Sequence, residues 1–97
     1  MNVGVCRIDL RLPENQSLKG KRQIVRPIIE RIRNKFNVSA AEVGDQDLWQ
    51  AASIGIVTVS NDQRFTNEVL CKVVDFVGNS HFDAAIIDYS IEIIPIC

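Results

Sequence analysis

Six segments of regular periodicity follow one another as strand, helix, strand, strand, helix, strand, and few folds accept that order. Residues 3–12 place Cys6, Ile8, Leu10 and Leu12 on one face and Arg7, Asp9 and Arg11 on the other, the pattern of a half-buried strand. Pro13-Glu14-Asn15-Gln16 breaks it. Ser17 then takes an N-cap position, and Leu18, Val25, Ile28, Ile29, Ile32 and Phe36 recur at helical spacing over residues 18–36. Pro27 lies inside this helix, where it removes one ladder bond and crowds the carbonyl of Gln23 at about 3 kcal/mol, so a kink is expected near Arg26. A short strand over 38–43 and an Ile/Val-rich one over 52–60, joined across Gly44–Gln50, are expected to form a hairpin.

Asn61 or Asp62 can cap a second helix, over 63–77, with Phe65, Val69, Val73, Phe76 and Val77 as its buried stripe. Gly78-Asn79 ends it. The last strand, 83–95, alternates Ala85, Ile87, Tyr89, Ile91 and Ile93 against Ile86, Asp88, Ser90, Glu92 and Ile94. The order βαββαβ predicts a ferredoxin-like α+β sandwich: a four-stranded antiparallel sheet with both helices on one face, formed by residues 1–97 as one domain.

Composition narrows the chemistry. With 46% apolar and 24% charged residues, 97 residues suit one globular core. No run of about 18 apolar residues is present to span a membrane, and the first dozen residues lack a signal-peptide hydrophobic region, so a cytoplasmic protein is expected. Three cysteines without a C-x-x-C spacing indicate neither a disulfide framework nor a zinc knuckle, and His81 is the only histidine. No metal, cofactor or catalytic constellation is expected.

The near-zero net charge conceals an asymmetry. Residues 1–36 carry nine Lys/Arg against three Asp/Glu, residues 37–97 two against nine, and seven of those nine cations fall in the first helix. Clustered cations set a local potential that the total charge does not report. At about 100° per residue, Lys19, Arg22, Arg26 and Arg33 lie within roughly 60° of one another, interrupted only by Glu30, while Lys21 projects nearer the apolar side and is expected to snorkel. Such a ridge can track phosphates, helped by the free N–H groups at the helix start. The plainer account is a solvated face.

Two further features carry alternatives. The connection Asp45, Gln46, Asp47, Leu48, Trp49 could hold a ligand or cation, or Trp49 could cap the core while the acids satisfy turn amides. On the open sheet face, Arg7, Asp9 and Arg11 should meet Asp88, Ser90 and Glu92 in cross-strand ion pairs, with no aromatics to stack bases. Cys71 projects off the second helix's stripe as an exposed thiol with no base beside it.

Leu12-Pro13, Ser17-Leu18-Lys19, Lys21-Arg22, Arg33, Phe36-Asn37-Val38-Ser39, Ala41-Glu42-Val43 and Gly44-Asp45-Gln46-Asp47-Leu48-Trp49-Gln50, taken in order, closely resemble the YlxP-like family, small bacterial proteins of unknown function. The resemblance implies a ferredoxin-like fold and a bacterial cytoplasmic setting. Genes of that family often lie among those for translation initiation and ribosome maturation, which implies association with the translation apparatus. The leading expectation is therefore a non-catalytic accessory factor that touches ribosomal RNA or ribosomal subunits through Lys19, Lys21, Arg22, Arg26 and Arg33. Its rivals are a homodimeric interaction module paired through the last strand, and a small-molecule or enzymatic site at Asp45–Trp49.

Overall fold

The computed structural model describes residues 1–44 and 48–97, in the order β1 (Asn2–Arg11), α1 (Leu18–Lys35), β2 (Ser39–Glu42), β3 (Ala51–Ser60), α2 (Gln63–Asn79) and β4 (Ala85–Pro95). The strands form one antiparallel sheet in the order β2-β3-β1-β4, so the ferredoxin-like arrangement stands, including the β2–β3 hairpin. α1 packs on β2 and β3, α2 chiefly on β1 and β4. Gly4 permits the close approach of α2 to β1, since a Cβ there would collide with Thr66 and Leu70.

The helix-facing side of β1 buries Cys6, Ile8, Leu10 and Leu12, and β3 adds Ala52, Ile54 and Ile56. α1 seals this layer with Val25, Ile28, Ile29 and Ile32; α2 does so with Leu70, Val73, Val74 and Val77. Each large aliphatic side chain buried there contributes about 1.5–3 kcal/mol. α1 continues through Pro27 as one helix, capped by Ser17, whose hydroxyl accepts from Gly20 N at 2.9 Å. Asp62 caps α2, accepting from Arg64 N at 2.9 Å and Phe65 N at 3.3 Å.

Two expected faces are corrected. In α2 the buried stripe is rotated by a residue. Thr66, with Ser60 Oγ and the carbonyl of Asp62 as partners, lies inside, together with Leu70 and Val74, while Phe65 is exposed. In β4 the alternation holds from Asp88 onward, with Tyr89 opposite Ile8 and Ile91 opposite Cys6, but the register with β1 shifts between Asp9 and Leu10. That bulge sets Ile86 opposite Leu10 and leaves Ile87 62% exposed instead of buried.

Candidate functional site

The seven cations of the first helix separate into four environments, because each turn of α1 meets a different neighbour. Lys19, Arg22 and Arg26 face outward and, with Gln23 and Pro27, line a depression of about 380 Å3. Their side chains make no hydrogen bond or ion pair with any described residue. Pro27 supplies no N–H to the carbonyl of Gln23, so the usual ladder bond is missing from this stretch of the ridge.

Arg33 is exposed but tethered. Its Nε and Nη2 both donate to the carbonyl oxygen of Ala40, which covers part of the edge strand β2. Arg22, Arg26 and Arg33 also flank a second groove, of about 420 Å3, with Glu30 and Glu42 on its rim. Arg31 and Lys35 turn to the other side of the helix. The Arg31 guanidinium lies 5.4 Å from the ring centre of Phe76 and 5.2 Å from that of Phe82; Lys35 Nζ lies 5.1 Å from Phe76.

Lys21 is the correction to the expected ridge. It is 2% exposed, and its ammonium donates to the carbonyl of Leu48 at 2.9 Å and pairs with Glu42 at 3.1 Å, which takes it out of reach of a surface phosphate. A cation within the apolar stripe is tolerated there because fixed acceptors replace its water. Thus Lys21 ties α1 to the end of β2 and to the segment leading into β3.

That segment is held at several points. Asn15, nearly buried, donates from Nδ2 to the carbonyls of Ser17 and Trp49; Gln50 Nε2 donates back to Asn15 O at 3.2 Å; Leu12 N donates to Gln50 O at 2.9 Å. Gly20 makes room for this lock, since a Cβ at that position would collide with Asn15 Oδ1. Among the described residues no buried side-chain nitrogen or oxygen lacks a partner. Although its backbone is fixed, the segment turns its large side chains outward: Leu48 and Trp49 are each 53% exposed. Trp49 therefore does not cap the core. Asp45, Gln46 and Asp47 lie outside the described residues.

The open sheet face also differs from expectation. Arg7 meets Asp9 of its own strand, Nε to Oδ1 at 3.0 Å, and reaches Ser53 Oγ at 3.1 Å, while Ser53 donates to Asp9 at 2.7 Å. Asp88 of β4 stands opposite Asp9, a like charge, and Ser90 opposite Arg7. The hydroxyl of Ser53, then the Arg7 guanidinium, hold the Asp9 carboxyl below the usual carboxylate range. The triad accounts for Arg7, Asp9 and Ser53 as structure. Burial, with a smaller contribution from Cys71, pushes the Cys6 thiol up to about 11. Cys71 is exposed, as its position on the helix predicts. Among the described residues, no group of three or more His, Cys, Asp or Glu is placed to hold a metal, and no helix is long and apolar enough to cross a membrane.

Comparison with known proteins locates the chain without assigning it an activity. The model of a family described as "Protein of unknown function (DUF503)" matches residues 3–91. The uncharacterized protein YlxP of Bacillus subtilis (strain 168) is 39% identical over 77 residues, which cover 79% of this chain and 84% of that protein.

Proposed function

The chain belongs to the DUF503 family, and we propose that it is a non-catalytic accessory factor of translation or ribosome assembly that contacts structured RNA through the outer face of α1. The observation that carries this is the ridge of Lys19, Arg22 and Arg26, three exposed cations on one helix face without a described counter-ion. Cations held in this way release condensed counter-ions when they meet a phosphate backbone, and they do so without regard to sequence. α2 does not neutralise them: it carries Arg64 and Lys72 against Glu68 and Asp75, and it lies over β1 and β4 while α1 lies over β2 and β3. The translational setting rests on the resemblance noted above.

Sedimentation of the tagged full chain with ribosomal subunits, and titration with structured RNA, at low and moderate salt test the proposal. Three phosphate contacts give a slope of about 2 to 3 in log affinity against log salt. Lys19→Glu, Arg22→Glu and Arg26→Glu together abolish binding and leave the circular dichroism unchanged. A wild-type chain that binds neither subunits nor RNA at low salt overturns it.

A second copy paired through β4 is the other part of the proposal, supported by the outer edge of that strand. Tyr89 is 52% exposed although it stands opposite the fully buried Ile8, and Ile94 and Ile96 are exposed as well. Antiparallel pairing about a twofold axis at Ile91 sets Tyr89 against the partner's Ile93 and Ser90 against the partner's Glu92. An axis at Ser90 would instead oppose Asp88 and Glu92, two like charges, so charge selects the first register. Light scattering across the micromolar range tests it; a monomer throughout overturns it.

A further inference from the structure

At the end of the sheet where β1 stops and β3 begins, Leu10, Arg11, Leu48, Trp49, Gln50 and Ile87 surround a groove of about 700 Å3. We propose that this groove receives one unpaired nucleotide of a bound RNA, with its base stacked on Trp49 and its phosphate on Arg11; this rests on the RNA-contacting role assigned above to α1.

Three observations converge on it. First, the wall is prebuilt. The carbonyls of Leu48, Trp49 and Gln50 are gripped by Lys21 Nζ, Asn15 Nδ2 and Leu12 N, and the first two of these donors are buried polar groups that are costly to place. Fixing backbone at that cost while turning Leu48 and Trp49 to the solvent pre-organises an apolar surface for something outside the chain. Second, the facing wall is made by the β-bulge, which takes Ile87 out of the alternation and aims it at the same space. Third, the polar groups suit a nucleotide. Arg11 has no described partner, Gln50, whose Nε2 is held by Asn15 O, lies at the rim, and none of the described lining residues is acidic. An aromatic platform and a guanidinium are the pair with which proteins take hold of an unstacked base. The volume is in the range of small-ligand sites.

The groove also adjoins the ridge. Asn15, Ser17 and Lys21 join the start of α1 to Leu48 and Trp49, and Lys19 stands in the first turn. An RNA that follows Lys19, Arg22 and Arg26 thus reaches the groove at the amino-terminal end of the ridge. Duplex supplies phosphates to the ridge; only a loop, bulge or end supplies a free base to Trp49.

Trp49 is the only tryptophan, so its fluorescence reports on stacking directly. The full chain is titrated with a hairpin RNA carrying an adenosine-rich loop, with a blunt duplex of equal phosphate count, and with adenosine monophosphate. The hairpin is expected to quench Trp49 and the duplex to bind without quenching. Trp49→Ala should weaken the hairpin by about 5- to 150-fold, the range for one stacked base, and leave the duplex unchanged. Trp49→Phe keeps a ring and retains most of the affinity, which separates loss of stacking from loss of fold. Hairpin binding with no quenching and no loss in Trp49→Ala overturns the groove while the ridge stands. Quenching by adenosine monophosphate as tight as by the hairpin makes it a free-nucleotide site and overturns the RNA assignment. Absence of binding to either RNA at low salt overturns the ridge and the groove together.

Discussion

Lys21→Met tests whether a buried ammonium holds α1, β2 and the Leu48–Gln50 segment together. Methionine keeps most of the apolar stem and its packing but removes every donor. The substitution strips the Leu48 carbonyl of a hydrogen bond of 2.9 Å and leaves Glu42 without the cation at 3.1 Å. An acceptor orphaned in the interior costs about 1–3 kcal/mol, and breaking a buried ion pair from one side costs about 3–5 kcal/mol. Glu42 is 23% exposed at its side chain, so water recovers part of that second cost, and a net loss of about 2–4 kcal/mol is expected. With a urea dependence of about 1–3 kcal/mol per molar, the midpoint should fall by about 0.7–4 M. Urea unfolding followed by circular dichroism measures it, and Trp49 emission followed alongside reports on the loosened segment. Lys21→Met with Glu42→Met should recover the share due to the ion pair, because removing both charges leaves neither uncompensated, and keep the cost of the orphaned Leu48 carbonyl. A Lys21→Met chain within 0.5 kcal/mol of the wild type, on the scale of an ordinary surface substitution at about ±0.5 kcal/mol, refutes the role of the ammonium as a tether.

In native protein at pH 8, a thiol reagent should label Cys71 and Cys97 and spare Cys6, which reacts only on unfolding. Because the Cys6 thiol is raised from 9.0 to about 11, the native state holds its proton longer than the unfolded chain does; that contribution is complete below 9.0 and is lost as pH rises towards 11, a decline that Cys6→Ala should flatten. Asp9 runs the other way: its lowered pKa contributes stability above about pH 4 that is lost on acidification, so Asp9→Asn should make the acid limb of the stability profile shallower. Gly4→Ala places a methyl against Thr66 and Leu70 and should lower stability by about 1–3 kcal/mol in thermal unfolding.

The order of elements was legible because a period of two and a period of 3.6 separate cleanly in β1 and α1, where each face is nearly uniform. β4 defeated the same rule. One inserted residue changes the phase without changing the composition, so Ile86 and Ile87 exchange places while the string still alternates. Phe65 and Thr66 exchanged for a different reason: hydrophobicity favoured the phenylalanine, whereas the threonine hydroxyl found partners in Ser60 and Asp62. The candidate site was legible only in its outward cations. The partners of Lys21 stand 21 and 27 positions away, and nothing local announces that a carboxylate and a carbonyl will converge on it. Trp49 was expected inside because large aromatics usually are; its exposure follows from the lock of Asn15 and Lys21 on the backbone, which the sequence around it does not encode.

The charge asymmetry along the chain becomes an asymmetry in space through strand order. Because β1 inserts between β3 and β4, α1 comes to lie on the β2 side of the sheet and α2, with the acids of β4, on the other. On the proposed role an RNA lies on the first side and reaches β4 only at Ile87, which leaves the rest of the β4 edge, with Asp88 and Glu92, clear of it. In the proposed β4-paired dimer the two α1 ridges then occupy opposite ends of an eight-stranded sheet, with the two β2 strands about 34 Å apart at 4.8 Å per strand. Neither ridge is covered by the pairing, and a single RNA long enough to reach both binds them as one ligand. Binding should therefore tighten with RNA length more steeply for the dimer than for a chain made monomeric by Ile91→Lys, while short RNAs bind the two alike. Equal length dependence in both would mean that the edge and the ridge act independently.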